Sequence, residues 1–89
     1  MVNLEKVREM FPDDKISYAS ISIEELSEIM ENVDVSFEID RDTLDYYYSI
    51  EIADLVESNV SDETLQKMAD KGWSFDASGT ELIIYLKNE

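Results

Sequence analysis

The sequence contains no cysteine and no histidine, and it has only one proline and two glycines. Without cysteine there is no disulfide framework, on which secreted domains of this size usually depend. The usual general base, thiol nucleophile and zinc ligands are also missing. Gly72 and Gly79 stand apart and do not form a glycine-rich phosphate-binding loop. We therefore predict that the chain is not an enzyme and that it binds no cofactor and no metal.

Long apolar segments are missing as well. The longest apolar run, residues 82–86, is far too short to cross a bilayer. The first residues turn polar at once, which is not the pattern of a signal peptide. An acidic surface is also repelled by anionic lipid headgroups. We expect a soluble cytoplasmic protein with no membrane partner.

Basic residues are few, and the charge is unevenly distributed. The 89 residues include 22 acidic and seven basic side chains, a net charge of −15. Residues 24–63 hold fourteen of the acids and a single base, Arg41, so this stretch carries −13 of the total. The phosphates of a nucleic acid would repel it. We therefore predict no direct binding to nucleic acid.

Three segments carry the signals of a helix start. Asn3, Ser22 and Ser61 are good N-cap residues, and each precedes apolar residues at helical spacing. Ser22 and Glu25 also fit the capping box, in which a serine is followed three residues later by glutamate. Gly72 stands where a glycine commonly ends a helix. The sequence predicts two to three helices.

Alternating apolar and polar residues predict strands near residues 35–39, 44–52, 73–77 and 81–87. In this interpretation Phe37, Ile39, Tyr46 and Tyr48 face the core, whereas Tyr47 faces solvent. A helix over residues 42–57 is the competing interpretation of the second segment. Residues 13–21 alternate weakly and are interpreted as a short edge strand or an extended loop.

These elements predict a single α+β domain over residues 1–89. We expect an antiparallel sheet of about four strands with the helices packed on one face. A weak repetition at an offset of 38–39 residues matches Ser22 and Leu26 to Ser61 and Leu65. It is interpreted either as a duplicated helix–strand–strand unit or as chance.

The acidic residues of the middle stretch define the candidate site. On the helix after Ser22, carboxylates four residues apart are about 6 Å apart along the axis, and we expect no base to offset them. On a strand, carboxylates two residues apart are separated by about 6.6 Å. Tyr47 is expected as an exposed ring among carboxylates, a suitable contact for Arg or Lys. The predicted partner-binding residues are Glu24, Glu28, Glu31, Glu38, Asp40, Asp42, Asp45 and Tyr47.

An array of fixed negative charges at such steps is similar in pitch and sign to a phosphate backbone. In size and charge the chain resembles the small anti-restriction, anti-CRISPR and uracil-glycosylase-inhibitor proteins of phages, and the immunity proteins that block nuclease toxins. The resemblance implies an acidic inhibitor that mimics nucleic acid and occupies the basic nucleic-acid-binding site of another protein. The alternative is a small non-catalytic adaptor or accessory subunit, in which an edge strand could join two copies and the acidity serves only solubility. Both a monomer and a homodimer stay open. A calcium site at residues 40–45 is less favoured than a solvated turn, because the EF-hand pattern is absent.

Overall fold

The computed structural model describes residues 1–87, and within them it has four helices and five strands. None of these helices combines the length and the apolar character needed to cross a membrane. The helices are α1 (Leu4–Met10), α2 (Ile23–Met30), α3 (Ile52–Glu57) and α4 (Asp62–Lys71). The strands are β1 (Tyr18–Ala19), β2 (Ser36–Ile39), β3 (Tyr46–Glu51), β4 (Ser74–Phe75) and β5 (Glu81–Leu86).

The predicted helix ends are confirmed. The side-chain oxygens of Asn3, Ser22 and Ser61 each accept a hydrogen bond from a backbone N–H in the first turn of α1, α2 and α4. Gly72 ends α4 with φ of 115°, a left-handed conformation that favours glycine. These signals are local, which is why the sequence alone was sufficient to locate them.

β5 is the central strand of the sheet. It pairs with β3 on one side and with β4 and β1 on the other, and β2 forms an outer edge beyond β3. The α+β class is confirmed, but the prediction of a wholly antiparallel sheet is wrong, because β1 runs parallel to β5. Parallel pairing needs a long crossover connection, which the residues between β1 and β5 supply. Alternation of residues along a strand carries no information about strand direction.

The two interpretations of residues 42–57 each hold for part of the segment. Strand β3 ends at Glu51, and α3 begins directly at Ile52. Each half of the chain contains a helix followed by an antiparallel hairpin, α2–β2–β3 and α4–β4–β5. Whether this repetition reflects a duplication stays a prediction.

The hydrophobic core lies on one face of the sheet. Ile50, Leu82 and Ile84 are at most 1% exposed and form one cluster with buried residues of all four helices. Trp73, which directly follows the helix-ending Gly72, is also only 1% exposed. The helices are therefore packed over the centre of this face.

Three residues predicted to face the core are exposed instead. Phe37, Ile39 and Tyr46 lie on the same face as Ile50, but they are 57%, 43% and 51% exposed. The prediction was wrong because β2 is an edge strand, and the helices leave this end of the face open. Tyr48, which is on β3 like Tyr46 but two residues nearer to Ile50, is partly buried against the core.

Candidate functional site

The face of the sheet opposite the core carries a row of tyrosines. Tyr18 on β1, Tyr85 on β5, Tyr47 on β3 and Glu38 on β2 are successive cross-strand neighbours. The ring centroids of Tyr18 and Tyr85 are 5.6 Å apart, and those of Tyr85 and Tyr47 are 5.2 Å apart. The three rings thus form a continuous aromatic surface across the strands.

Each tyrosine hydroxyl in this row donates a hydrogen bond to a different carboxylate. Tyr18 donates to Asp45 Oδ2 at 2.8 Å. Tyr85 donates to Asp40 Oδ2 at 2.9 Å, and Tyr47 donates to Glu38 Oε2 at 3.1 Å. The β2–β3 hairpin thus carries three carboxylates that are held above the aromatic surface. We call these three tyrosines and three carboxylates the tyrosine–carboxylate row.

The pKa shifts within the row favour a charged Asp40 and neutral tyrosine hydroxyls. Burial, followed by the hydrogen bond to Asp40, raises the pKa of Tyr85 to about 12. Hydrogen bonds from the Asp42 N–H and then from Tyr85 hold the pKa of Asp40 below its usual value. The hydrogen bond to Asp45 raises the pKa of Tyr18, and burial followed by Glu38 raises that of Tyr47. Because the donors are neutral, they position the carboxylates without cancelling their charge.

Two further carboxylates extend the same face. Glu51 and Glu81 are directly paired across β3 and β5, and they lie on the same face of the sheet as Tyr47 and Tyr85. Burial raises the pKa of Glu81, as do the charges of Asp76, Glu38 and Glu51. The carboxylates of Asp76, Glu38 and Glu51 are therefore close enough to Glu81 to influence its ionisation. We call the tyrosine–carboxylate row together with Glu51 and Glu81 the acidic sheet face.

The glutamates of α2 behave differently from those of the sheet. Glu28 accepts from Lys67 Nζ at 3.2 Å and from the Thr64 hydroxyl at 3.2 Å. Glu25 lies 3.1 Å from Lys71 Nζ. Burial works to raise the pKa of Glu25, but Lys71 and Ser22 lower it overall. The expectation that no base offsets these acids was wrong, because the lysines come from α4, far along the chain.

The structure thus separates the eight predicted site residues into two groups. Glu38, Asp40, Asp45 and Tyr47 come together in the acidic sheet face. Asp42 lies beside them in the exposed hairpin loop, and its N–H donates to Asp40 Oδ1 at 2.9 Å. Of the other three, Glu24 and Glu28 belong to α2 and Glu31 is its C-cap, on the helical side of the sheet. Glu24 and Glu31 form no salt bridge within residues 1–87.

Sequence reasoning missed four residues of the acidic sheet face: Tyr18, Glu51, Glu81 and Tyr85. A signal for Tyr85 was present, since it alternates with the core residues Leu82 and Ile84 and must point to the opposite face. Tyr18 gave no such signal, because a two-residue strand is too short for its pattern to be recognised.

A second feature lies on the core side of the same hairpin. Phe37 and Tyr46 stack with ring centroids 5.1 Å apart, and Ile39 lies beside them on β2. Leu44, in the hairpin loop, is 70% exposed and has φ of 64°, a conformation that an L-residue with a bulky side chain rarely adopts. We call Phe37, Ile39, Leu44 and Tyr46 the apolar hairpin patch.

Other parts of the described chain offer less chemistry. An open cleft of about 410 Å³ between α2 and α4 has its glutamates paired with lysines, as described above. Across residues 1–87, no three His, Cys, Asp or Glu side chains are grouped so as to hold a metal ion. Comparison with protein families, curated proteins and solved structures found no match for this chain.

Proposed function

We propose that the protein is a non-catalytic, acidic inhibitor that binds the basic nucleic-acid-binding site of another protein and thereby excludes nucleic acid from it. The acidic sheet face is the proposed contact surface. The site of action would be the cytoplasm, where such partners meet nucleic acid. The proposal depends on one observation: three carboxylates are held across the sheet by neutral tyrosine hydroxyls.

Fixed carboxylates favour this function for a physical reason. A flexible surface glutamate loses side-chain freedom when it is held in an interface, which costs about 0.5–1.5 kcal/mol of binding free energy for each side chain. Glu38, Asp40 and Asp45 are already hydrogen-bonded before a partner arrives. A field of one sign also steers a basic partner and raises association rates about 10–10³-fold.

A small adaptor or accessory subunit is the second candidate, and the apolar hairpin patch favours it. Two of its side chains, Phe37 and Ile39, are exposed on the edge strand β2, where protein partners commonly add a strand. Salt separates the two functions. A complex formed through the acidic sheet face weakens steeply as salt rises, whereas an apolar contact barely responds.

The test is capture of partners by the immobilised protein from a lysate of the organism that encodes it. Loading at low salt and elution with a salt gradient are followed by mass spectrometry and by competition with duplex DNA. We expect a nucleic-acid-binding protein that elutes sharply with salt and is displaced by DNA. Partners that survive high salt and ignore DNA would support the adaptor instead.

A pair of charge-matched variants locates the contact. The first carries Glu38→Gln, Asp40→Asn, Asp42→Asn and Asp45→Asn. The control removes four exposed carboxylates elsewhere, with Glu5→Gln, Glu9→Gln, Asp54→Asn and Glu57→Gln. Both lose four negative charges, so a nonspecific effect of net charge weakens them equally. We expect capture to be lost in the first variant and retained in the control; equal loss in both would contradict the proposed surface.

A further inference from the structure

Strand β2 has an unpaired edge. It pairs with β3 on one side only, and the other side has no neighbouring strand among residues 1–87. The Asp40 N–H donates to the Asp45 carbonyl, so this pair is a hydrogen-bonded one and determines which of the following β2–β3 pairs are hydrogen-bonded. Because such pairs alternate along an antiparallel ladder, Phe37 and Ile39 direct their N–H and C=O groups away from β3. Two residues of β2 therefore offer free backbone donors and acceptors.

Two common protections of an edge strand, lysine and proline, are missing from this one. β2 contains no lysine and no proline, and its residues Ser36–Ile39 are all exposed. On the core side, Phe37 and Ile39 continue into the apolar hairpin patch. Leu44 keeps a bulky apolar side chain in a left-handed conformation at the loop, where glycine or asparagine would fit without strain. An exposed apolar edge of this kind is typical of a binding surface.

The two faces of the edge differ in chemistry. A strand added beside β2 would place alternate side chains against the apolar hairpin patch and the others beside Glu38 and the tyrosine–carboxylate row. Apolar residues suit the first position, and lysine or arginine suits the second. Arg41 is the only base in residues 24–63, the stretch that contains β2, and Asp40 and Asp42 flank it in the sequence. The charge at the edge thus favours a basic occupant.

We propose that β2 binds, by edge-on sheet pairing, an extended segment of the basic partner in which apolar residues alternate with lysine or arginine. Such a segment would span about 13 Å along the four residues of β2. A second copy of this chain is the less suitable occupant, because it would bring two Glu38 carboxylates together on one face and join two chains of charge −15. The inference rests on the proposed function, since it names the part of the basic partner that docks.

The test uses two synthetic peptides of eight residues with blocked ends. In the first, valine and lysine alternate; in the second, the same four valines precede the same four lysines. Amide hydrogen exchange of the isotope-labelled protein is followed by NMR with each peptide. We expect the alternating peptide to slow exchange at Phe37 and Ile39, and the block peptide to leave it unchanged. No slowing with either peptide would overturn the proposal.

A pair of variants separates backbone pairing from side-chain contact. Ile39→Ala shortens the side chain and keeps the outward N–H, whereas Ile39→Pro also removes that N–H; proline is tolerated on the free side of an edge strand. NMR spectra of both variants check that the fold is retained. We expect the alternating peptide to bind the proline variant about fivefold more weakly than the alanine variant, the effect of one lost hydrogen bond. Equal affinity would count against strand pairing.

Failure of this inference is distinguishable from failure of the proposed function. One outcome would support the acidic contact and refute strand pairing. Both peptides would bind with equal affinity, and that affinity would fall at high salt and in the variant that lacks the carboxylates of Glu38, Asp40, Asp42 and Asp45. The opposite outcome would refute the acidic contact. The alternating peptide would slow amide exchange at Phe37 and Ile39 equally at low and high salt, and equally in the wild type and in the four-carboxylate variant. A dimer of the free protein that Ile39→Pro dissociates would identify a second copy as the occupant, against the proposal.

Discussion

Replacing Tyr85 by phenylalanine tests whether the tyrosine–carboxylate row contributes to stability. The substitution removes the hydroxyl that donates to Asp40 at 2.9 Å and retains the ring of a residue that is 9% exposed. A hydrogen bond to a charged group contributes about 1.5–3 kcal/mol, and partial access of solvent reduces that value. We expect Tyr85→Phe to lower the free energy of unfolding by about 1 kcal/mol at neutral pH, which is about 4–8 °C in Tm.

The pH dependence of this loss follows from the two pKa shifts. The pKa of Tyr85 is raised from 10.0 to about 12, so its contribution is complete below pH 10 and is lost as the pH rises toward 12. The pKa of Asp40 is lowered from 3.8, so its contribution is complete above that value and is lost as the pH falls through the lower, folded-state pKa. The difference in the free energy of unfolding between the wild type and Tyr85→Phe is therefore largest between about pH 4 and about pH 10. It becomes smaller at lower and at higher pH.

Urea unfolding followed by the fluorescence of Trp73, which is 1% exposed, measures this difference at about pH 3, 7 and 11. Tyr46→Phe is the matched control, because Tyr46 is 51% exposed and its hydroxyl makes no hydrogen bond within the described residues. We expect the control to change stability by less than about 0.5 kcal/mol at every pH. Equal effects of the two substitutions at neutral pH, or a Tyr85→Phe effect that does not vary with pH, would refute the reasoning.

Three further predictions concern the whole fold. Raising salt from about 10 mM to about 1 M shortens the electrostatic screening length from about 30 Å to about 3 Å. The screening length thus falls from above to below the radius of gyration, which is 12.1 Å. Because self-repulsion of the −15 chain is then screened, we expect Tm to rise by at least about 5 °C, and a flat Tm would contradict a concentrated acidic face. Gly72→Ala should cost about 2 kcal/mol in urea unfolding, since φ is 115° and the new Cβ would lie 3.0 Å from Ser17 Cβ. Gly79→Ala meets no atom within 4 Å and should cost about half as much; equal costs would argue against the contact with Ser17. Leu65→Ala removes a side chain with 0% exposure and should cost about 3 kcal/mol, whereas a loss below about 1 kcal/mol would show that the core collapses around the gap.

The sequence was informative wherever the controlling interaction is local. The caps at Asn3, Ser22 and Ser61 depend on residues within one helical turn, and all three were predicted. Alternation along β3 also placed Tyr47 on the face opposite Tyr46 and Tyr48, which the strand register confirms. Local chemistry and strand periodicity are thus enough to define the elements and to assign most of their faces.

The errors concern partners that are distant in the chain. Lys67 and Lys71 are 39 and 46 residues from the glutamates that they contact, so the sequence around α2 contained no sign of them. The exposure of Phe37 and Ile39 likewise depends on the place of β2 at the edge, which alternation does not encode. The contact of Tyr18 with Asp45 also joins residues 27 positions apart, so the sequence around the short strand β1 gave no sign of it.

The central position of β5 also determines when this protein can fold. β5 pairs with three strands, all of which precede it in the sequence, and the pair Tyr18–Tyr85 closes a loop of most of the chain. During synthesis the helices and the β2–β3 hairpin can form before β5, but the complete sheet has to wait for it. Contacts of such long sequence separation slow folding. The nascent chain therefore exposes its apolar strands until β5 has been made, and its acidic surface is completed only in that last step.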